Sequence, residues 1–134
     1  MRGQTAFEYL MLFSLALTIL AILVLYAQQM TERNREDIII ANAITAVNKL
    51  TEAADIVYTQ GKPSQITLSI YIPEKVSSIE FNNNVITMKV NISSGVSDIF
   101  ASSKAPLQGS ISTTSGTRKI KVIAEENYVN ITES

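Results

Sequence analysis

The sequence predicts an α+β protein: a long N-terminal helix, apolar in its first half and amphipathic in its second, packed on a small antiparallel β-sheet head. Three observations predict it. From Tyr9 to Thr31 no residue is charged, and no Gly or Pro falls between Gly3 and Gly61. Beyond Gly61 the hydrophobic period changes from three-to-four residues to two.

The helix comes first. Tyr9–Ala27 is almost continuously apolar, and its nineteen residues make a helical rod of roughly 28 Å, close to the hydrocarbon thickness of a bilayer. Tyr9 and Tyr26 stand near its ends, where amphipathic rings suit a membrane interface. The run exceeds the ~7–15 apolar residues of a cleaved signal core, and Tyr26-Ala27-Gln28-Gln29 offers no small-x-small cleavage site. A single, retained membrane span is expected. Past it, Ile40, Ala43, Val47, Leu50, Ala54 and Val57 recur at alternating spacings of three and four, a stripe on one helix face. Asn42, Lys49, Glu52 and Asp55 lie on the opposite side. The segment 4–60 therefore reads as one helical unit, continuous from Thr5 to about Tyr58.

Residues 61–134 form the expected β-rich head. "GKPS" at Gly61–Ser64 stops the helix. In "QITLSIYIP", Ile66, Leu68, Ile70 and Ile72 alternate with polar residues, a half-buried strand ended by Pro73. "VSSIEF-NNN-VITMKVNI" reads as a hairpin whose Asn82–Asn84 tolerate left-handed backbone, with Ile86, Met88, Val90 and Ile92 facing inward. The small-residue stretch Ser93–Gly116 holds one or two weak strands and loops. "TRKIKVIAEENYVNI" gives one or two more, with Ile120 and Val122 opposed to Lys119 and Lys121. About 70 residues are marginal for an independent core, so the stripe from Ile40 to Val57 is the expected cover for the sheet. The apolar first half is left to lipid or to copies of itself.

Composition narrows the chemistry. Of 134 residues none is His or Cys, which removes disulfides, Cys/His zinc sites, cysteine nucleophiles and histidine-dependent triads. No phosphate loop or convincing carboxylate pair is present. The expectation is a non-enzyme with no catalytic residue, no cofactor and no metal. A net charge of −1 provides no field for nucleic acid.

The N-terminal stretch "RGQTAFEYLML" places an acid, Glu8, one residue before the apolar run. With Arg2-Gly3 as a basic, glycine-ended leader and Gln4, Glu8 and Leu12 in a Q-x-S-x-E-x-x-x-L pattern, it resembles the N-terminus of an archaeal type IV prepilin with a class III signal peptide. Ala6 departs from the usual serine. The resemblance covers about the first 27 residues; beyond them it is architectural, a pilin-like long helix followed by a β-rich head. It implies a leader of residues 1–3, cut between Gly3 and Gln4 by a prepilin peptidase on the cytoplasmic side. The retained helix waits in the cell membrane and then polymerises, with an assembly platform and its ATPase motor, into a homopolymeric helical filament outside the cell. Adhesion is the use the family implies.

Cleavage would free an amine on Gln4, one helical turn from the Glu8 carboxylate. An unpaired carboxylate in a lipid-free helix bundle costs several kcal/mol. A neighbouring chain's amine, displaced by a fixed axial step, would neutralise it, making Gln4 and Glu8 a register device comparable to single polar residues in coiled coils. Cyclisation of Gln4 would remove that amine and leave Glu8 needing another partner. The plainer reading is a first-turn acid favoured by the helix dipole. Close approach of helices would use Ser14, Ala16, Ala21 and Ala27.

Two sequons, Asn91-Ile92-Ser93 and Asn130-Ile131-Thr132, are candidate glycosylation sites. Strand alternation puts both asparagines on outward, exposed faces. Alternatives to a pilus subunit are a minor pilin or pseudopilin, an archaellum subunit (which usually lacks the Q-x-x-x-E arrangement) and a single-pass membrane protein with an external β ligand-binding domain that does not polymerise.

Overall fold

The computed structural model describes residues 2–134, so Met1 of the expected leader lies outside the described residues. Helix α1 runs Arg2–Gln60. It begins two residues before the expected start, so Arg2 and Gly3 are already helical; no residue after Gly3 interrupts the ladder. Its end is sharp. Gly61 adopts φ 78° and its N–H donates to the Val57 carbonyl at 2.9 Å, the left-handed cap that glycine makes without a Cβ penalty.

By contacts the chain divides after Glu36 rather than after Gln60, into a unit ending at Glu36 and a unit Asp37–Ser134. Between Arg2 and Arg35 every residue is exposed. In the second unit the helix contributes Ala43, Ala46, Val47, Leu50, Ala53, Ala54 and Val57 to a single buried core shared with the strands. The stripe is wider than the spacing predicts, because Ala46, Thr51 and Ala53 are also buried while Ile40 is only half-buried. Four of the seven helix residues in this core are alanines, whose small side chains lie among the larger ones of the strands.

Seven strands follow: β1 (Gln65–Ile72), β2 (Val76–Asn82), β3 (Val85–Ile92), β4 (Gly95–Ser102), β5 (Leu107–Ser110), β6 (Gly116–Ala124) and β7 (Val129–Glu133). They form two sheets, in the orders β1-β6-β7-β5 and β2-β3-β4; with the helix packed on them this is the α+β arrangement the sequence predicts, its head divided between two sheets rather than one. The first sheet is mixed, since β5 pairs with β7 in parallel. Its direction is set by two pins: the Leu107 N–H donates to the Asn83 carbonyl at 2.5 Å, and the Val129 N–H to the Pro106 carbonyl at 2.8 Å. The first ties the start of β5 to the β2–β3 turn and the second brings the start of β7 beside it, so the two strands leave side by side. Ile70, Ile72, Ile120, Val122, Val129 and Ile131 point inward from this sheet, and Ile86, Met88, Val90 and Ile99 from the other.

The hairpin turns at Asn83, with φ 50°, and Asn82 pairs with Val85 as the last rung. Asn84 does more than turn: its side-chain amide donates to the Ser103 carbonyl at 3.1 Å, and its own carbonyl accepts from the Ser103 N–H at 2.7 Å. The same loop is held from the helix side. Asp55 accepts from the Ser103 hydroxyl at 2.5 Å and from the Lys104 N–H at 2.7 Å. Asp55 is thus half-buried and engaged, not a free acid on the solvent face. The Arg118–Glu133 ion pair, 2.9 Å, joins β6 to β7 at the rim of the core.

Gly109 is where a neighbouring strand comes too close for a side chain. Its φ is +149°, and a Cβ there would lie 1.8 Å from the Ile131 carbonyl oxygen, so any side chain must push β5 off β7. A Cβ on Gly61 meets nothing within 4 Å, and Gly61→Ala should cost only the left-handed penalty of about 1–2 kcal/mol. Gly109→Ala is expected to lower the urea midpoint of the detergent-solubilised chain by clearly more. Leu50→Ala, at a fully buried position, should remove about 2–5 kcal/mol in the same measurement.

Candidate functional site

The candidate site is the first unit, where Gly3, Gln4 and Glu8 precede the apolar run. Gly3 and Gln4 lie in the opening turn of α1, where the first four N–H groups have no intrahelical partner. Opening the Gly3–Gln4 peptide therefore breaks few hydrogen bonds, and glycine adds about 1 kcal/mol against helix there. Space around Gly3 is open. Gln4 and Glu8 are both exposed, four residues apart and so on one helical face. Because the helix already runs from Arg2, Glu8 lies beyond its first turn, where the dipole's effect has fallen off.

The run from Tyr9 to Ala27 is exposed on every side, including Leu10, Phe13, Leu20 and Leu25. This is one helix long and apolar enough to cross a membrane. Its few polar groups are satisfied from within. The Ser14 hydroxyl donates to the Met11 carbonyl and the Thr18 hydroxyl to the Ser14 carbonyl, each at 2.9 Å. Hydroxyls bonded back to the preceding turn leave the part between Tyr9 and Tyr26 no side-chain polar group in need of water, which is what a non-aqueous surrounding requires.

The two sequons differ. Asn91, near the end of β3, is exposed. Asn130 is half-buried, which corrects the expectation of exposure. Alternation does turn its side chain away from the core. Yet β7 lies inside its sheet, with Asn130 paired to Gln108 of β5 and Ile123 of β6, and these neighbours cover it from both sides. In the second unit the sequence also gave no hint of Phe100, on β4, which stands 71% exposed.

The fold and this segment define a class: an α+β protein whose N-terminal helix carries a stretch able to span a membrane. No family model, no curated protein and no solved structure matches the chain.

Two lysines in the middle of the run test its membrane role. Leu17→Lys with Leu20→Lys should add about 2.5–3.5 kcal/mol each to insertion. Alkaline extraction is expected to leave the parent chain in the membrane pellet and to release the variant. Ile38→Lys, exposed in the second unit, should behave like the parent.

Proposed function

We propose that this chain is the precursor of a structural subunit of an extracellular type IV pilus filament. A prepilin peptidase removes the leader after Gly3, and Gln4 becomes the first residue. The subunit resides in the membrane through Tyr9–Ala27 until an assembly platform, driven by its ATPase, moves it into the polymer. Helices bundle in the core and the β-rich units face outward, for adhesion. The chain performs no catalysis.

One observation carries this reading: a charge-free helical stretch, uncovered on all sides, with Gly3-Gln4 and a lone acid at its start. Lipid tails and neighbouring helices are about equally apolar, so transfer between them involves little hydrophobic free energy. What distinguishes one packing from another is then polar contact and close fit. Glu8, set against the Gln4 amine of a neighbouring subunit, penalises every register but one. A head-to-tail contact that does not close on itself generates a helical fibre.

Fibres sheared from the cells that make this protein should consist mainly of a chain whose first residue is Gln4, read by terminal sequencing. Retention of Arg2 and Gly3 on a protein confined to the membrane would overturn the proposal. Glu8→Lys should be processed and inserted normally yet give fibre yields lower by tenfold or more, scored by microscopy. Glu8→Gln, neutral and nearly isosteric, should retain more assembly than Glu8→Lys.

A further inference from the structure

The outer faces of the two sheets carry opposite, unsatisfied surfaces. On β4, Val96, Asp98 and Phe100 alternate with inward residues and so share the outer face. Val96 is 61% and Phe100 71% exposed, and Asp98 between them is exposed. Asp98 sits opposite Lys89 in the β3–β4 register, but Lys89 is bound instead to Glu80 at 3.3 Å. Asp98 is in no ion pair among the described residues, and the row reads apolar, acid, apolar.

The β1-β6-β7-β5 sheet has the complementary face. Lys119 and Lys121 project outward from β6 beside each other, opposite Ser69 and Thr67 of β1. Tyr71, 46% exposed, lies two residues along the same face of β1, opposite Thr117. No acidic side chain belongs to the outward rows of β1, β6, β7 or β5, which hold Thr67, Lys119, Lys121, Asn130 and Thr132 among others. Neither lysine makes an ion pair among the described residues. The three formal pairs in the second unit use Lys62, Lys89 and Arg118.

We propose that these two faces bind each other between two copies of the chain, the Val96-Asp98-Phe100 row of one copy against Tyr71, Lys119 and Lys121 of the next. Asp98 takes the place of the acid that the lysine pair lacks. Phe100 and Val96 cover the lysine stems and the Tyr71 ring, which have apolar bodies under polar tips. Val96 and Phe100 are large apolar side chains left exposed on either side of an acid that has no ion pair among the described residues. Successive side chains on one strand face are about 6.8 Å apart, so the rows on β4 and β6 share one spacing and can lie in step. The contact is heterologous, since different patches meet, and so it repeats from copy to copy instead of closing into a dimer. It rests on the filament reading for the arrangement of neighbours, and it assigns a second contact outside the apolar helices.

The chain has no cysteine, so introduced thiols report alone. In the full chain, expressed in its own cells, Val96→Cys together with Thr117→Cys, which leaves Asp98 and both lysines in place, should give a ladder of covalent oligomers with a short bis-maleimide. Each single variant should stay monomeric on denaturing gels. Lys119→Glu with Lys121→Glu should lower cross-linking between thiols placed at Val96 and Thr117 by about tenfold or more, and adding Asp98→Lys should restore it. Dimers from a single variant would mean a two-fold contact and overturn the proposal. An absent ladder with intact fibres under the microscope would also overturn it and leave the filament reading standing. An absent ladder with no fibres would overturn both.

Discussion

A stretch of helix from Tyr9 to Ala27 has no charge and no cover, and that constraint organises the rest of the molecule. Every residue between Arg2 and Arg35 is exposed, so no other part of the chain buries this apolar surface. At roughly 25 cal/mol per Å², its apolar side chains represent a large penalty in aqueous solution. A second medium has to supply the cover. The internal bonding of Ser14 and Thr18 suits the stretch to such a medium, because neither hydroxyl inside it is left asking for water.

The second unit is built so that this cover can come from elsewhere. Its core is complete without any residue before Asp37, the helix from Ala43 to Val57 lying with two inward sheet faces. Asp55, Ser103 and Asn84 fasten the crossing from β4 to β5 on both sides. Folding of the head and burial of the apolar stretch are therefore separate events. A subunit that must leave one apolar environment for another needs that separation, and the membrane-to-polymer transfer proposed for this chain depends on it.

Periodicity carried much of this fold, and its failures have physical causes. The spacing of Ala43, Val47, Leu50, Ala54 and Val57 located the buried helix face, and the alternation in β1, β3 and β6 located the inward rows. Ala46 and Ala53 were missed because two sheets contact a broader helix surface than one line of residues describes. β5 was scarcely legible: four residues, only Leu107 apolar and buried, with its direction fixed by hydrogen bonds to Asn83 and from Val129 that lie far away in sequence. Asp55 read as a solvent-side acid because its partners are 48 and 49 residues distant. Asn130 turned out half-covered since alternation gives the face of a strand but not whether neighbours flank it. The candidate site was legible in kind, as an acid before an apolar run. Glu8's position beyond the first turn was not, because the start of α1 at Arg2 leaves no mark in composition.

The central claim is that copies of this chain shelter one another's apolar stretch. Single cysteines placed in turn from Leu10 to Leu25, in fibres sheared from cells and freed of lipid, measure it through their reaction rate with a water-soluble maleimide. The account predicts slow labelling all around the helix, against fast labelling at an exposed reference such as Asn34→Cys. Labelling along the stretch as fast as at that reference would contradict it.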